Sequence, residues 1–161
     1  MLFAVASRMS LRALCVSISM RFSAMLLIRF ECKGVASMQN PKLHDEFRAI
    51  DMEVGWETPP GYPSGIQQKI LSGSLDEQGK SGNRSRLLRF APGVYTTKPF
   101  VHDYWEEVFL VRGDLVVGND EKGKGGEKFQ PLTYACRPPG VHHGPFKSVG
   151  GCILFEIHYF T

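Results

Sequence analysis

The sequence predicts an all-β domain over most of its length, and three observations carry that prediction. From Arg84 to the end, short β-branched and aromatic runs alternate with turns at close spacing. The turns are marked by Gly and Pro, as in Ala91-Pro92-Gly93, Arg112-Gly113-Asp114, Pro138-Pro139-Gly140 and Val149-Gly150-Gly151. No stretch in this region carries a convincing helical spacing of apolar residues. Short strands leave exposed edges, and two facing antiparallel sheets or a closed barrel solve that problem, so one of the two is expected.

Residues 40–50, opening with Asn40-Pro41, read as a short helix or turn with His44 exposed. Trp56 to Pro63 is a crossing segment rather than a helix, because Pro59, Pro60 and Pro63 lack the N–H and restrict the residue before them. Gln67 to Leu71 reads as the first strand. Ser72 to Asn83 is polar and Gly-rich, which predicts a loop with at most one helical turn. Strands follow at Ser85–Phe90, Val94–Thr97, Tyr104–Arg112, Asp114–Val117, Thr133–Arg137, Gly144–Ser148 and Cys152–Phe160. Asn119 to Lys128 places Gly123, Gly125 and Gly126 among alternating charges and reads as a solvated hairpin loop.

The first 37 residues differ from the rest. Arg8, Arg12, Arg21, Arg29 and Lys33 stand against Glu31 alone, a local charge of +4 within a chain of +3, which leaves −1 for the remainder. A near-neutral domain offers no electrostatic case for nucleic acid. Arg21 and Arg29 break the apolar stretch, so neither a secretory signal nor a membrane span fits. The segment reads as a non-domain leader: the product of a start set upstream of Met38, a mitochondrial targeting sequence, or a helix outside the fold. The single domain is then 38–161. The cytoplasm is the expected compartment, with mitochondria the alternative if the leader is genuine. Cys136 and Cys152 lie in apolar runs and are expected to be buried thiols. With no CxxC pair in the chain, a structural zinc knot is not expected.

Two segments carry the candidate chemistry, His102 to Gly113 and Arg137 to Phe146. Phe100, His102, Tyr104 and Glu106 share parity, so an unbroken strand would point all four into one pocket. His143 follows a Pro-Pro-Gly turn on a later strand, with His142 beside it facing the other way or lying on the turn. Two imidazoles and a carboxylate from separate strands suit a metal with open positions. Without a metal, His102 would be a core histidine bonded to Glu106 or Tyr104. Glu107 is expected to face outward or to bond an Arg. Trp105 is expected on the outer face, and His158 as structural support for a metal-bound imidazole. Arg86, Arg89, Tyr95 and Tyr134 lie on strands that could line a barrel, although for each alone a solvated Arg or a half-buried Tyr is the plainer reading.

These segments resemble the paired motifs of the cupin superfamily. His102, Glu106 and Gly113 hold the spacing of the second His, the Glu and the closing Gly of the first motif, with Gly93 in place of its opening Gly. Pro138, Gly140 and His143 match the second motif and favour His143 over His142 as a ligand. Phe100 stands where the first His would be, which lowers the ligand count. The resemblance implies a double-stranded β-helix with a short irregular N-terminal arm. It also implies metal ligands His102, Glu106 and His143, with Glu106 the residue on which turnover depends. Fe(II) is the favoured metal, and the same ligands serve Zn(II) or Mn(II). The stretch from Thr133 to Phe155 looks most like the branch holding the cupin module of zinc-binding anti-sigma factors and acetylacetone-cleaving dioxygenases. Residues 38–66 are too short and proline-rich to supply the helical domain of such a regulator. The expectation is therefore a metal-binding cupin, an oxygenase or lyase acting on a small oxygenated organic molecule. A non-catalytic metal- or ligand-binding module and a metal-free interaction cupin are the alternatives. A homodimer paired through an outer sheet near Trp105 and Phe109 is a further implication of the resemblance.

Overall fold

A computed structural model describes residues 42–161. The expected leader lies outside the described residues. The remainder holds eight strands: β1 (Ile66–Asp76), β2 (Ser81–Phe90), β3 (Trp105–Gly113), β4 (Leu115–Val117), β5 (Glu127–Phe129), β6 (Tyr134–Arg137), β7 (Phe146–Lys147) and β8 (Cys152–Tyr159). They form a five-stranded sheet in the order β1-β2-β8-β3-β6 and a three-stranded sheet in the order β5-β4-β7. All pairings are antiparallel. Among the described residues there is no helix, so the all-β prediction stands. None of them forms a helix long and apolar enough to cross a membrane.

Alternation sets which side chains go inside. Leu88 and Phe90 on β2, Val108 and Leu110 on β3, and Cys152 and Leu154 on β8 share one face of the large sheet. They pack with Ile66 and Leu115 as the buried core. Each such side chain contributes about 1.5–3 kcal/mol on burial. The opposite face carries Leu87, Phe155 and Phe109 in one cross-strand row, beside Trp105 stacked on Tyr159. Trp105 is therefore on the outer face, as expected. At Gly113 the chain turns from β3 to β4 with φ of 86°, and a Cβ there would lie 2.0 Å from the Gly151 carbonyl oxygen. Only glycine meets both demands.

Several local expectations are corrected. Ser72 to Asn83 is not a loop: β1 and β2 run through it as a hairpin, pairing Ser74 with Asn83 and Asp76 with Ser81. The tight turn is held by the Gly79 N–H donating to Asp76 Oδ1 at 2.9 Å. Low β-propensity gave way to pairing that each strand's apolar half already fixes in register. Residues 42–50 form no helix or turn. Val94 to Thr97 contributes one bridge, Tyr95 to Lys147, instead of a strand. Gly144–Ser148 narrows to β7, and the expected hairpin loop ends in β5. Cys136 is exposed rather than buried, because it shares the outward parity of Tyr134 on the edge strand β6. Cys152 is buried as expected, and burial pushes its thiol up to about 12.

Candidate metal centre

β3 does not begin until Trp105, and the chain bends at Asp103 and Tyr104. The expected unbroken strand from Phe100 is absent, yet His102 still arrives beside Glu106. Two backbone hydrogen bonds join Phe100 and His143 at 2.8 and 3.0 Å, and the Gly140 N–H donates to the His102 carbonyl at 2.9 Å. This short ladder between the two motif segments places His102 and His143 side by side, with ring centroids 4.8 Å apart. Glu106 sits on the inward face of β3, 6% exposed.

Glu106 is the hub. Its Oε2 lies 3.4 Å from His143 Nε2 and 3.7 Å from His102 Nε2, and it accepts a 2.6 Å hydrogen bond from Arg137 Nη1. Its Oε1 lies 3.3 Å from His158 Nε2. Burial alone would raise the carboxyl pKa. The Arg137 guanidinium and the N–H that His158 turns toward it outweigh that and hold it well below the usual carboxylate range. Desolvation lowers the His143 pKa, which keeps its ring neutral.

Hydrogen bonds on the other ring nitrogen distinguish the histidines. His102 Nδ1 is 2.8 Å from the Tyr104 carbonyl, and His143 Nδ1 is 2.9 Å from the Val141 carbonyl. A carbonyl only accepts, so each Nδ1 carries a proton, and in the neutral ring the Nε2 lone pair is the one that faces Glu106. His158 is the reverse. Its Nδ1 accepts from Arg84 Nε–H at 2.9 Å, so its proton is on Nε2, facing the carboxylates of Glu106 and Glu156. His158 thus turns an N–H, not a lone pair, toward the two carboxylates, without closing a hydrogen bond to either. Glu156 is fixed by Arg86 at 2.6 Å, and Arg86 also donates to Gln68 Oε1 at 2.7 Å. Burial pushes the Glu156 pKa up, but Arg86 and His158 bring it below its ordinary value.

His102, Glu106 and His143, the three predicted ligands, are thus brought together. Ligand atoms adjacent on a metal at about 2.1 Å stand roughly 3.0–3.4 Å apart, close to the 3.4 and 3.7 Å seen here. The buried Nε2 atoms of His102 and His158 both lack a hydrogen-bond partner; a metal would supply one to His102, whose Nδ1 already holds the proton. The residues therefore fit a divalent metal. His142, the alternative to His143, is exposed. Glu107 faces outward but accepts from Tyr134 Oη at 2.9 Å, not from an Arg. Phe100 stacks on Tyr62 at 4.9 Å at the rim. A cavity of about 460 Å³ opens onto the three side chains between Tyr62, Arg84 and Tyr104.

No family model and no curated protein matches the sequence. Solved structures do match. An RmlC-like cupin from Shewanella frigidimarina superposes with a TM-score of 0.51 and 19% identity, over 73% of this chain and 93% of that one. The chain has the cupin fold. An acetylacetone dioxygenase from Acinetobacter johnsonii gives 0.52 and 17%, over 74% and 78% of the two chains. The polyketide cyclase RemF from Streptomyces resistomycificus gives 0.52 and 17%, over 71% and 80%. Within this cupin barrel, sequence reasoning missed Glu156 as a site residue. It also took the solvated reading of Arg86, whose side chain is 4% exposed. The signal was parity: Arg86 shares the inward face of Leu88, and Glu156 that of Leu154. Arg89 lies over Trp56 at 4.2 Å, and Tyr134 is exposed, so neither lines the centre.

Proposed function

We propose that this chain is a metal-dependent oxygenase or lyase for a small oxygenated organic molecule, with His102, Glu106 and His143 as ligands to Fe(II). The observation that supports this reading most is the convergence of His102 Nε2 and His143 Nε2 on one buried carboxylate, each ring held through Nδ1 by a backbone carbonyl, at the wall of a cavity sized for a small molecule. A bound metal would supply Lewis-acid or redox activation of oxygen atoms at its open face. The other roles fall to the chain's own residues. Glu106 offsets the metal's charge. The Arg84–His158 and Arg86–Glu156 pairs hold the inner wall so that Glu106 Oε1 meets a donor while Oε2 faces the ligand nitrogens. Tyr62 and Phe100 shield the rim from water. Burial raises the Tyr104 pKa, so its hydroxyl keeps its proton and can donate to a substrate oxygen. The names of the acetylacetone dioxygenase and the polyketide cyclase are consistent with this reading, which rests partly on that analogy of fold.

A second reading, a non-catalytic metal- or ligand-binding module, is favoured by two features. Phe100 occupies a ligand position, and Arg137 competes for the Glu106 oxygen. Elemental analysis of the full-length chain purified without a His tag, beside His143→Ala, tests both. About one iron per chain, lost in the variant, together with oxygen uptake on diketones or phenols, supports the oxygenase. Zinc alone with no turnover supports the binding module. No metal after reconstitution overturns the site. The proposal extends to a homodimer through the outer face around Trp105 and Phe109, and light scattering of the purified chain checks it.

A further inference from the structure

Two residues along β3 from Glu106 the interior changes character. Val108 and Leu110 face inward there, opposite Leu115 of β4. Between β6 and β5, each the edge strand of its own sheet, lies a cavity of about 200 Å³. Its walls include Val108, Leu110, Leu115, Val117 and Phe129. Arg137 lines this cavity too, and the same side chain lines the small void of about 20 Å³ beside Glu106 and His143. Arg137 is therefore the partition between the metal centre and an apolar chamber with its own opening.

The chemistry at the two ends of this chamber differs. At the inner end Arg137 uses Nη1 on Glu106, and its other nitrogens make no hydrogen bond among the described residues. They are not sealed either, since the side chain is 14% exposed. At the outer rim stands the exposed carboxylate of Glu127. An anionic head would be repelled at the rim and drawn inward, leaving an apolar body against the valines and leucines. A comparable apolar cavity of roughly 150 Å³ holds a benzene-sized molecule. We propose that the β5–β6 cleft is a second ligand site, for a small monocarboxylate with an apolar body of about six carbons and its head on Arg137. This site does not depend on a metal at Glu106.

Hexanoate titrated into the full-length chain, with methyl carbon–proton spectra, tests it. The expected result is saturable shifts at Val108, Leu110, Leu115 and Val117, with hexan-1-ol binding about tenfold more weakly for want of a charge-assisted hydrogen bond. Ala135→Phe, which fills the cleft, is expected to abolish the shifts while metal content is retained. Arg137→Gln is expected to bring hexanoate down to the affinity of hexan-1-ol. The absence of saturable shifts, equal binding of hexanoate and hexan-1-ol, or shifts confined to residues around His102 and His143 would each overturn the proposal. These readings come from the unaltered chain, so they stand even if Ala135→Phe does not fold.

Discussion

Two triads of the same residue types share Glu106: His102–Glu106–His143 and Glu106–Glu156–His158. Their atoms stand at similar distances, and a composition-based search would rank them alike. They differ in what each imidazole does with its far nitrogen. In the first triad a backbone carbonyl takes the Nδ1 proton and leaves two basic Nε2 atoms. In the second the Arg84 guanidinium donates to Nδ1 and forces the proton onto Nε2. Charge follows the same division. The second triad is already matched by Arg86 on Glu156. The first holds a carboxylate that a dication could share with Arg137. The lesson is that hydrogen-bonded support decides whether a histidine–carboxylate cluster is a ligand set or a closed ionic network.

The largest effect expected is at the closed network. Arg86→Met strands the buried Glu156, and breaking such a pair costs about 3–5 kcal/mol. Urea unfolding measures it, and a loss below about 1 kcal/mol would show that the network is not a stability element. The pH dependence has a definite sign. Glu156 is depressed below its ordinary 4.5 in the folded chain. Its contribution is therefore present above pH 4.5 and is lost as pH falls through the depressed folded value. In Arg86→Met that depression is removed, so the acid limb of stability attributable to Glu156 shrinks.

Next comes metal affinity, which separates the triads directly. Loss of a supporting contact costs 10–100-fold in metal affinity, so loss of a ligand in His143→Ala or His102→Ala is expected to cost about a hundredfold or more. His158→Gln is expected to keep the metal but to lose about 1–3 kcal/mol of stability, since it removes the acceptor of Arg84 and the imidazole packed between two buried carboxylates. Imidazole nitrogen-15 spectra give an independent check. His102 and His143 are expected as Nδ1–H tautomers and His158 as Nε2–H. An Nδ1–H signal from His158 would erase the distinction.

How much of this was legible in sequence follows from what is local. That His102, Glu106 and His143 would lie together was legible because motif spacing reports on short-range geometry. That held although the strand parity invoked for Phe100 to Glu106 failed at the bend before Trp105. The supporting network was harder. β8 is apolar on both faces, Phe155 and Ile157 outward, Leu154 inward, so the inward Glu156 and His158 did not stand out. Their partners Arg84 and Arg86 lie some seventy residues earlier, and only the β2–β8 register brings them opposite. The β1–β2 hairpin was missed for the same reason. Its Ser, Gly and Asn residues are strand only because long-range pairing makes them so.

Arg137 offers the finest test of the comparison, because among the described residues it is the one Lys or Arg paired with the first triad. Its Nη1 sits 2.6 Å from the oxygen that faces both ligand imidazoles. At an effective dielectric of about 20, two unit charges about 4 Å apart interact by roughly 4 kcal/mol. A dication on Glu106 would feel about twice that repulsion, less what the guanidinium recovers by turning toward solvent or the Phe146 ring, now 5.6 Å away. Arg137→Met is therefore expected to bind Zn(II) about tenfold more tightly, or about 1.4 kcal/mol, by calorimetric titration. Arg137→Lys, which keeps the charge but not the fork, is expected to fall between the two. The opposite outcome is equally informative. Weaker binding in Arg137→Met would mean that the guanidinium serves chiefly to aim Glu106, so that the first triad, like the second, depends on an arginine for its geometry.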